Sequence, residues 1–360
     1  MRRAGQQFDR IIEPDNLLRA FFRASRGKRV RAETREFAVA LHTRLETMAE
    51  QVCEGTFPVG RSRQFVIHDP KRRIITAPCF EERVMHHAIM NVCEPVFERW
   101  LIYDTYACRV GKGRLKALAR AQTFSRRFPW FLKLDIRHYF DSVPHEALNS
   151  RLQRLFKDRP LLELLERIVR SHRATVGVGL PIGSLTSQHF ANFYLGWFDR
   201  FAKEHLRAAG YVRYMDDILI WGATRGELRQ ALARISEFLF DNLGLTLKPT
   251  PYWNRSVHGV DFLGARVFPS RMVLNRRSRV RFRRKLHSIE LEHSRGEIGE
   301  LEMQQRATSL VEFTQAGGLA TWNFRRKVLE RLAAAVERLE PGEPGRELDQ
   351  LRQELPVREP

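Results

Sequence analysis

Three acidic residues carry the chemistry that can be expected of this sequence. Asp216 and Asp217 are adjacent, and they interrupt two apolar and aromatic runs in Tyr211-Val-Arg-Tyr-Met-Asp-Asp-Ile-Leu-Ile-Trp221. Two ionised carboxylates side by side repel each other, and a bound divalent cation is the usual way to hold such a pair. A third, Asp135, ends the run Trp130-Phe-Leu-Lys-Leu-Asp135. A third carboxylate is what a site for two metal ions requires. Asp is also a good turn and cap residue, so at the level of these residues both readings stand.

The elements that must position these groups are legible from periodicity. Val212 and Tyr214, then Ile218 and Ile220, keep the two-residue period of strands that bury one face, which predicts a hairpin with Met215, Asp216 and Asp217 in its turn. Trp130, Leu132, Leu134 and Ile136 alternate as one buried face, leaving Phe131, Lys133 and Asp135 on the other. Between these stretches lies Gly177-Val-Gly-Leu-Pro-Ile-Gly-Ser-Leu-Thr-Ser-Gln188, a loop entering a helix. Gly179 and Gly183 allow close backbone approach, and Ser184, Thr186, Ser187 and Gln188 offer neutral hydrogen-bonding groups. By spacing alone it is an ordinary helix entry.

Elsewhere, helices are predicted over 15–25, 36–54, 81–97, 144–156 and on to about 172, 227–243, 301–315 and 322–339. Strands are predicted at 64–67, 73–77, 245–249 and 260–265. The first two would form a hairpin tipped by Lys71, Arg72 and Arg73, a solvated turn or an anion site. His86 and His87 are adjacent on a helix, hence about 100° apart, which suits packing or hydrogen bonding better than one metal. Gly111-Lys-Gly-Arg114 lacks the spacing and the Ser or Thr of an NTPase phosphate loop.

Composition sets the partner class. With 360 residues, 43% of them hydrophobic, the chain can bury a large core in two or three lobes. Its 62 Lys and Arg against 42 Asp and Glu give a formal charge of +20, so a polyanion is the natural partner. No apolar run approaches the roughly 18 residues of a spanning helix, and residues 1–8 are too polar for a signal peptide. Nucleic acid is therefore favoured over a membrane. Cys53, Cys79, Cys93 and Cys108 show no zinc-knuckle spacing, so reduced thiols in a cytoplasm are expected. Beyond Pro269, Arg276, Arg277, Arg279, Arg281, Arg283, Arg284 and Lys285 crowd a helix with Phe282, Leu286 and Ile289 on its apolar face, a phosphate-binding pattern. Residues from 341 on are polar and expected to be loose.

Taken together, the order of basic hairpin, Leu134-Asp-Ile-Arg-His-Tyr-Phe140, glycine loop, Tyr214-Met-Asp-Asp217, Lys248, Phe262-Leu-Gly264 and basic helices resembles a reverse transcriptase over roughly residues 10–340. The resemblance implies an α+β right-hand polymerase fold: fingers and an N-terminal region over 1–129, palm over 130–270 with fingers helices interleaved at about 145–178, a helical thumb over 271–340 and a tail over 341–360. It implies that Asp135 and Asp216 hold two Mg²⁺ ions with Asp217 in support, for RNA-directed DNA synthesis by nucleotidyl transfer. Lys71 and Arg73 match residues that hold the incoming triphosphate, and Lys248 matches a lysine near it. Arg83 belongs to the same finger segment, with a structural role open to it. Phe140 matches the residue that excludes a ribose 2′-hydroxyl, and Phe262, Leu263 and Gly264 match the primer grip. Arg281, Arg284 and Lys285 would meet nucleic-acid phosphates.

Where most reverse transcriptases have Gln-Gly and then Ser-Pro, this chain has Ile182-Gly-Ser-Leu-Thr-Ser-Gln188, similar to the enzymes of diversity-generating retroelements. That likeness implies mutagenic retrohoming: cDNA made from a template-repeat RNA with frequent errors at adenines, dNTPs as substrates and a small basic accessory protein as partner. A group II intron-like, retron-like or defence-associated reverse transcriptase is the alternative, and an RNA-binding protein with an inactive palm is the non-enzymatic one. Neither an endonuclease domain after 341 nor a ribonuclease H domain is expected.

Overall fold

The computed structural model describes residues 2–68, 72–172, 176–314 and Arg326. Residues 69–71, which include Lys71 of the expected hairpin tip, the helix expected over 322–339 apart from Arg326, and the tail from 341 lie outside the described residues, whereas Arg72 and Arg73 begin the second strand of the hairpin. The chain divides into two compact units, the first ending at His258 and the second starting at Gly259.

The first unit opens with helices α1 (Phe8–Ile12), α2 (Pro14–Ser25), α3 (Ala32–Val39) and α4 (Leu41–Cys53), followed by the antiparallel hairpin β1 (Ser62–His68) and β2 (Arg72–Pro78). The single helix expected over 36–54 is broken at Ala40, whose φ of −115° and ψ of 40° leave the helical range. The break allows Phe37 to pack on Phe21 and Phe80, with ring centroids 5.8 and 5.3 Å away. Helix α5 (Phe80–Trp100) is almost wholly internal and packs on α2. Helix α6 (Arg114–Arg127) was not expected, although Ala117, Leu118, Ala121 and Phe124 recur on its buried face at helical spacing.

The central element is a four-stranded antiparallel sheet in the order β4 (Gly210–Tyr214), β5 (Asp217–Gly222), β3 (Trp130–Asp135), β6 (Tyr252–Arg255). Around it in sequence come α7 (His145–Leu152), α8 (Arg159–Arg170), α9 (Leu185–Arg200) and α10 (Arg225–Leu243). Strands β3, β4 and β5 are buried on both faces, which corrects the one-sided pattern expected, whereas the edge strand β6 is largely exposed. Leu132, Leu134, Tyr211, Ile218 and Ile220 join the main core. Phe131, Val212, Leu219 and Trp221 are equally buried, with Trp221 against Phe124 of α6 at 5.4 Å and its indole N–H donating to Ser125 Oγ at 3.2 Å. With both faces covered, apolar residues run continuously and alternation no longer marks which side is inward.

Two further expectations are corrected here. Asp217 is not in the hairpin turn but begins β5, paired with Tyr214, so Met215 and Asp216 alone make the turn. Met215 sits at φ 54°, a left-handed conformation that costs a non-glycine residue about 1–2 kcal/mol. The segment 245–249 is not a strand. It meets the sheet through one bridge, Ile136 to Leu247, and the ladder position beside β3 is taken by β6, which carries no strong period of its own.

The second unit holds a three-stranded antiparallel sheet, β7 (Val260–Phe262), β8 (Ala265–Val267) and β9 (Met272–Leu274), then α11 (Arg276–Ser294) and α12 (Glu300–Thr314). The strand expected over 260–265 is two strands. Leu263 at φ 47° and Gly264 at φ 80° form a two-residue turn, with Phe262 paired to Ala265, and positive φ at both positions is what a tight hairpin matched to strand twist needs. Helix α11 is capped by Asn275, whose side chain accepts from Ser278 N at 2.9 Å.

Candidate active site

Asp135 and Asp217 are cross-strand partners in the register of β3 and β5. Directly opposed residues of an antiparallel pair point to the same face with Cβ atoms about 4.5–5.5 Å apart, so the strands alone bring these two carboxylates together. Asp216 stands next to them in the turn. Lys133, two residues before Asp135, shares that face as the period of the strand predicts, although no role was expected of it. Its Nζ lies 3.1 Å from Asp217 Oδ1. Lys248 Nζ is ion-paired with Asp135 Oδ2, and its backbone N–H donates to Asp135 O at 2.9 Å.

The electrostatics follow from burial and from these neighbours. Burial raises the Asp216 carboxyl above the ordinary carboxylate range; its own backbone N–H opposes this, Asp135 adds to it, and Lys248 and Arg73 oppose it. Burial likewise pushes Asp217 up to about 6, with Lys133 pulling down and Asp216 and Asp135 pushing up. Arg73, exposed on β2, therefore acts electrostatically on the acidic turn.

Among the described residues no three His, Cys, Asp or Glu side chains are already gathered into a cage for a metal ion. The donors nevertheless fit a hard divalent cation: three carboxylates, of which Asp135 and Asp217 are ion-paired with lysines and Asp216 and Asp217 are raised in pKa chiefly by burial. The lysines stand where cationic charge is needed.

The glycine loop connects this face with β2. Thr76 N–H donates to Ile182 O at 2.7 Å, and on the other side Leu180 and Gly179 donate to Phe140 O and Val143 O at 2.8 and 2.9 Å. Gly183 has φ 122°, and a Cβ there would come within 2.8 Å of Ile75 Cγ2 and 2.9 Å of Thr76 O. Only glycine permits this approach. Ile182 and Phe140 are partly buried, Phe140 in the short turn Tyr139–Ser142 just after β3. Gln188, in the first turns of α9, accepts from Cys108 Sγ at 3.4 Å. His86 is buried with Nδ1 3.2 Å from Ser184 Oγ, the hydrogen-bonding role expected of it. Arg83 is partly buried and donates to Pro78 O at 3.0 Å. In the second unit, Phe262 is buried and Leu263 and Gly264 form the β7–β8 turn. Arg284 is exposed on α11, and Arg281 and Lys285 are partly so.

Residues 68–267 match the family model described as reverse transcriptase (RNA-dependent DNA polymerase). The chain belongs to this family. The match takes in all three aspartates, the glycine loop and Phe262-Leu-Gly264, and stops before the basic helix α11. Reverse transcriptase domains use divalent metal ions, consistent with the donor set above. Nuclear intron maturase 4, mitochondrial, of Arabidopsis thaliana is 26% identical over 197 residues, 52% of this chain and 24% of that protein. The group II intron-encoded protein LtrA of Lactococcus lactis is 23% identical over 172 residues, 44% of this chain and 28% of that protein. The chain thus spans about a quarter of the length of these curated relatives. A solved telomerase structure from Candida tropicalis has a TM-score of 0.46 at 10% identity, covering 81% of this chain and 56% of that one. The fold class of the chain is α+β: the described residues combine antiparallel sheets with packed helices. No helix among its described residues is long and apolar enough to cross a membrane.

Proposed function

We propose that this chain is an RNA-directed DNA polymerase that extends a primer with dNTPs along an RNA template. The observation that carries the reading is the pairing of Asp135 with Asp217 across β3 and β5, with Asp216 in the adjoining turn. Residues 1–129 act as fingers and N-terminal region, 130–270 as palm with fingers helices at about 145–178, and 271–340 as thumb. Asp135 and Asp216 would hold two Mg²⁺ ions, with Asp217 in support. When bound, these ions lower the pKa of the primer 3′-hydroxyl and neutralise the triphosphate and departing pyrophosphate. The protein's own residues supply positioning. Lys71 and Arg73 hold the triphosphate, Lys248 exchanges its contact with Asp135 for one with phosphate, and Phe140 bounds the sugar pocket. Ile182, Gly183 and Gln188 shape the nucleotide site. Phe262, Leu263 and Gly264 grip the primer, and Arg281, Arg284 and Lys285 meet phosphates of template RNA and cDNA.

The experiment is Mg²⁺-dependent primer extension on RNA. Asp135→Asn or Asp216→Asn should abolish synthesis while leaving RNA binding nearly intact, because each removes a metal-holding carboxylate without touching the basic surface. Substantial polymerisation by either variant rejects the assignment, and absence of synthesis by the unaltered protein on primed RNA favours the non-enzymatic reading.

Within this activity we assign the chain to a cytoplasmic diversity-generating retroelement, working with a basic accessory protein, on the sequence Ile182-Gly-Ser-Leu-Thr-Ser-Gln188. The second reading, an intron-type enzyme, is favoured by the intron proteins among its relatives. Isoleucine at 182 offers shape but no side-chain hydrogen bond. One oriented bond is worth roughly 0.5–1.5 kcal/mol, or about two- to twelve-fold in relative incorporation. Sequencing cDNA made by the unaltered protein and by Ile182→Gln separates the readings: fewer errors at template adenines in the variant supports the retroelement, whereas equal spectra without adenine bias support the intron type.

A further inference from the structure

Arg213 lies on the core face of β4, and both its side chain and that of Asp199 on α9 are 0% exposed. A guanidinium has five N–H donors, and here every one is used. Nε donates to Asp199 Oδ1 and Nη2 to Asp199 Oδ2, each at 2.6 Å. Nη2 also reaches Asn192 O at 3.0 Å, and Nη1 reaches Asn192 Oδ1 at 2.9 Å. The fifth bond leaves the cluster: Nη1 donates to Met215 O at 3.2 Å. The carboxylate is equally saturated, since Tyr211 Oη and Thr105 Oγ1 also donate to it.

Stability alone does not account for this cluster, because a buried ion pair is commonly matched or bettered by apolar residues of the same volume. A planar fork with all its bonds made does, however, hold its partners in one orientation. The partner outside the cluster is the carbonyl of Met215, the residue in the left-handed region at φ 54°. That carbonyl belongs to the planar peptide whose nitrogen is Asp216 N. Fixing it fixes the base from which the Asp216 carboxylate rises.

We propose that Arg213 is a positioning residue: clamped by Asp199 and Asn192, it holds the Met215 peptide in its left-handed form and thereby aims Asp216 at the metal position. The proposal rests on the reading of Asp216 as a metal-holding group, and the test keeps the two apart.

The test uses the full chain with a primed RNA. Arg213→Lys keeps a charge beside Asp199 but lacks the fork that reaches Met215. It should weaken Mg²⁺ binding about tenfold, read without turnover as the Mg²⁺ concentration for half-maximal protection of the full chain against thermal unfolding, raise the Mg²⁺ concentration for half-maximal extension equally and lower kcat, with KM for dNTP little changed; tenfold corresponds to about 1.4 kcal/mol. Adding Met215→Gly, which takes positive φ without steric cost, should restore much of the Mg²⁺ response. A merely structural role for Arg213 would give no such rescue. The double variant Asp199→Asn with Arg213→Gln leaves no unpaired buried charge and should show the same raised Mg²⁺ requirement. An unchanged Mg²⁺ requirement in folded variants, or effects of Arg213→Lys and Met215→Gly that simply add, would overturn the proposal, as would failure of both Arg213 variants to fold. Asp216→Asn run beside them separates the cases: if it still polymerises, the metal reading fails, and if it is dead while the Arg213 variants respond normally to Mg²⁺, only the positioning role falls.

Discussion

At the scale of single residues, the charge balance at Asp217 would make the proposed metal binding a proton-linked event. Its carboxyl is raised to about 6, chiefly by burial, against an ordinary value near 4. The sign is that of a raised acid: the stability associated with its protonated form is present below pH ~4 and is lost as pH rises through ~6. Metal-free protein should therefore lose some stability between those values, and Mg²⁺ should release a proton on binding and stabilise more strongly above pH 6 than at pH 5. Thermal unfolding with EDTA and with Mg²⁺ across this range is the measurement, and an Mg²⁺ shift independent of pH would remove Asp217 from the site. Lys133 opposes the raised value, so Lys133→Met should move the Mg²⁺ response to higher pH. Phe140 yields a second prediction at this scale. If its partly buried ring bounds the sugar pocket, Phe140→Ala should admit ribonucleotides, read as the ratio of dATP to ATP incorporation; an unaltered ratio in an active variant assigns the ring to packing.

At the scale of elements, the glycine loop is held from two sides, by Thr76 of β2 and by the turn after β3. Gly183 is the point where that fit leaves no room, with Ile75 Cγ2 and Thr76 O within 2.9 Å of a notional Cβ and φ at 122°. Gly183→Ala should displace the loop from β2, cost more than about 1 kcal/mol of stability and raise KM for dNTP. Steady-state kinetics beside a melting curve tests this, and wild-type values of both would show that the loop adapts. The hairpin elements illustrate why some boundaries were readable and others were not. Asp216 is a turn residue on any reading of its neighbours, but whether Asp217 belongs to the turn or the strand depends on the hydrogen-bonded partner that β5 finds in Tyr214.

For the molecule as a whole, the excess of 20 positive charges is distributed over both compact units. Helix α11 begins with Arg276, Arg277 and Arg279, where the helix dipole disfavours cations by about 0.3–1 kcal/mol each. That arrangement is costly for an isolated helix and favourable once phosphates approach. Replacing Arg281, Arg284 and Lys285 by Glu should weaken RNA binding across sequences and flatten its salt dependence by about one unit of log–log slope per lost phosphate contact. Titrations at several salt concentrations check it, and an unchanged slope would assign this face to solvent.

What the sequence determined by itself was local in origin: acidic residues between apolar runs, amphipathic helices such as α10 and α11, the glycine loop, the basic surface and the family to which their order points. Each depends on residues close in the chain, where periodicity and residue type act directly. The tertiary structure alone decided which strands lie side by side. That choice set Asp135 opposite Asp217, brought Lys133 within reach of Asp217, seated β6 beside β3 in place of residues 245–249, and turned Arg213 inward to meet Asp199. A strand buried on both faces has no alternation to reveal its inward side, and a charged residue within it reads as solvent-facing until its buried partner, remote in sequence, is known.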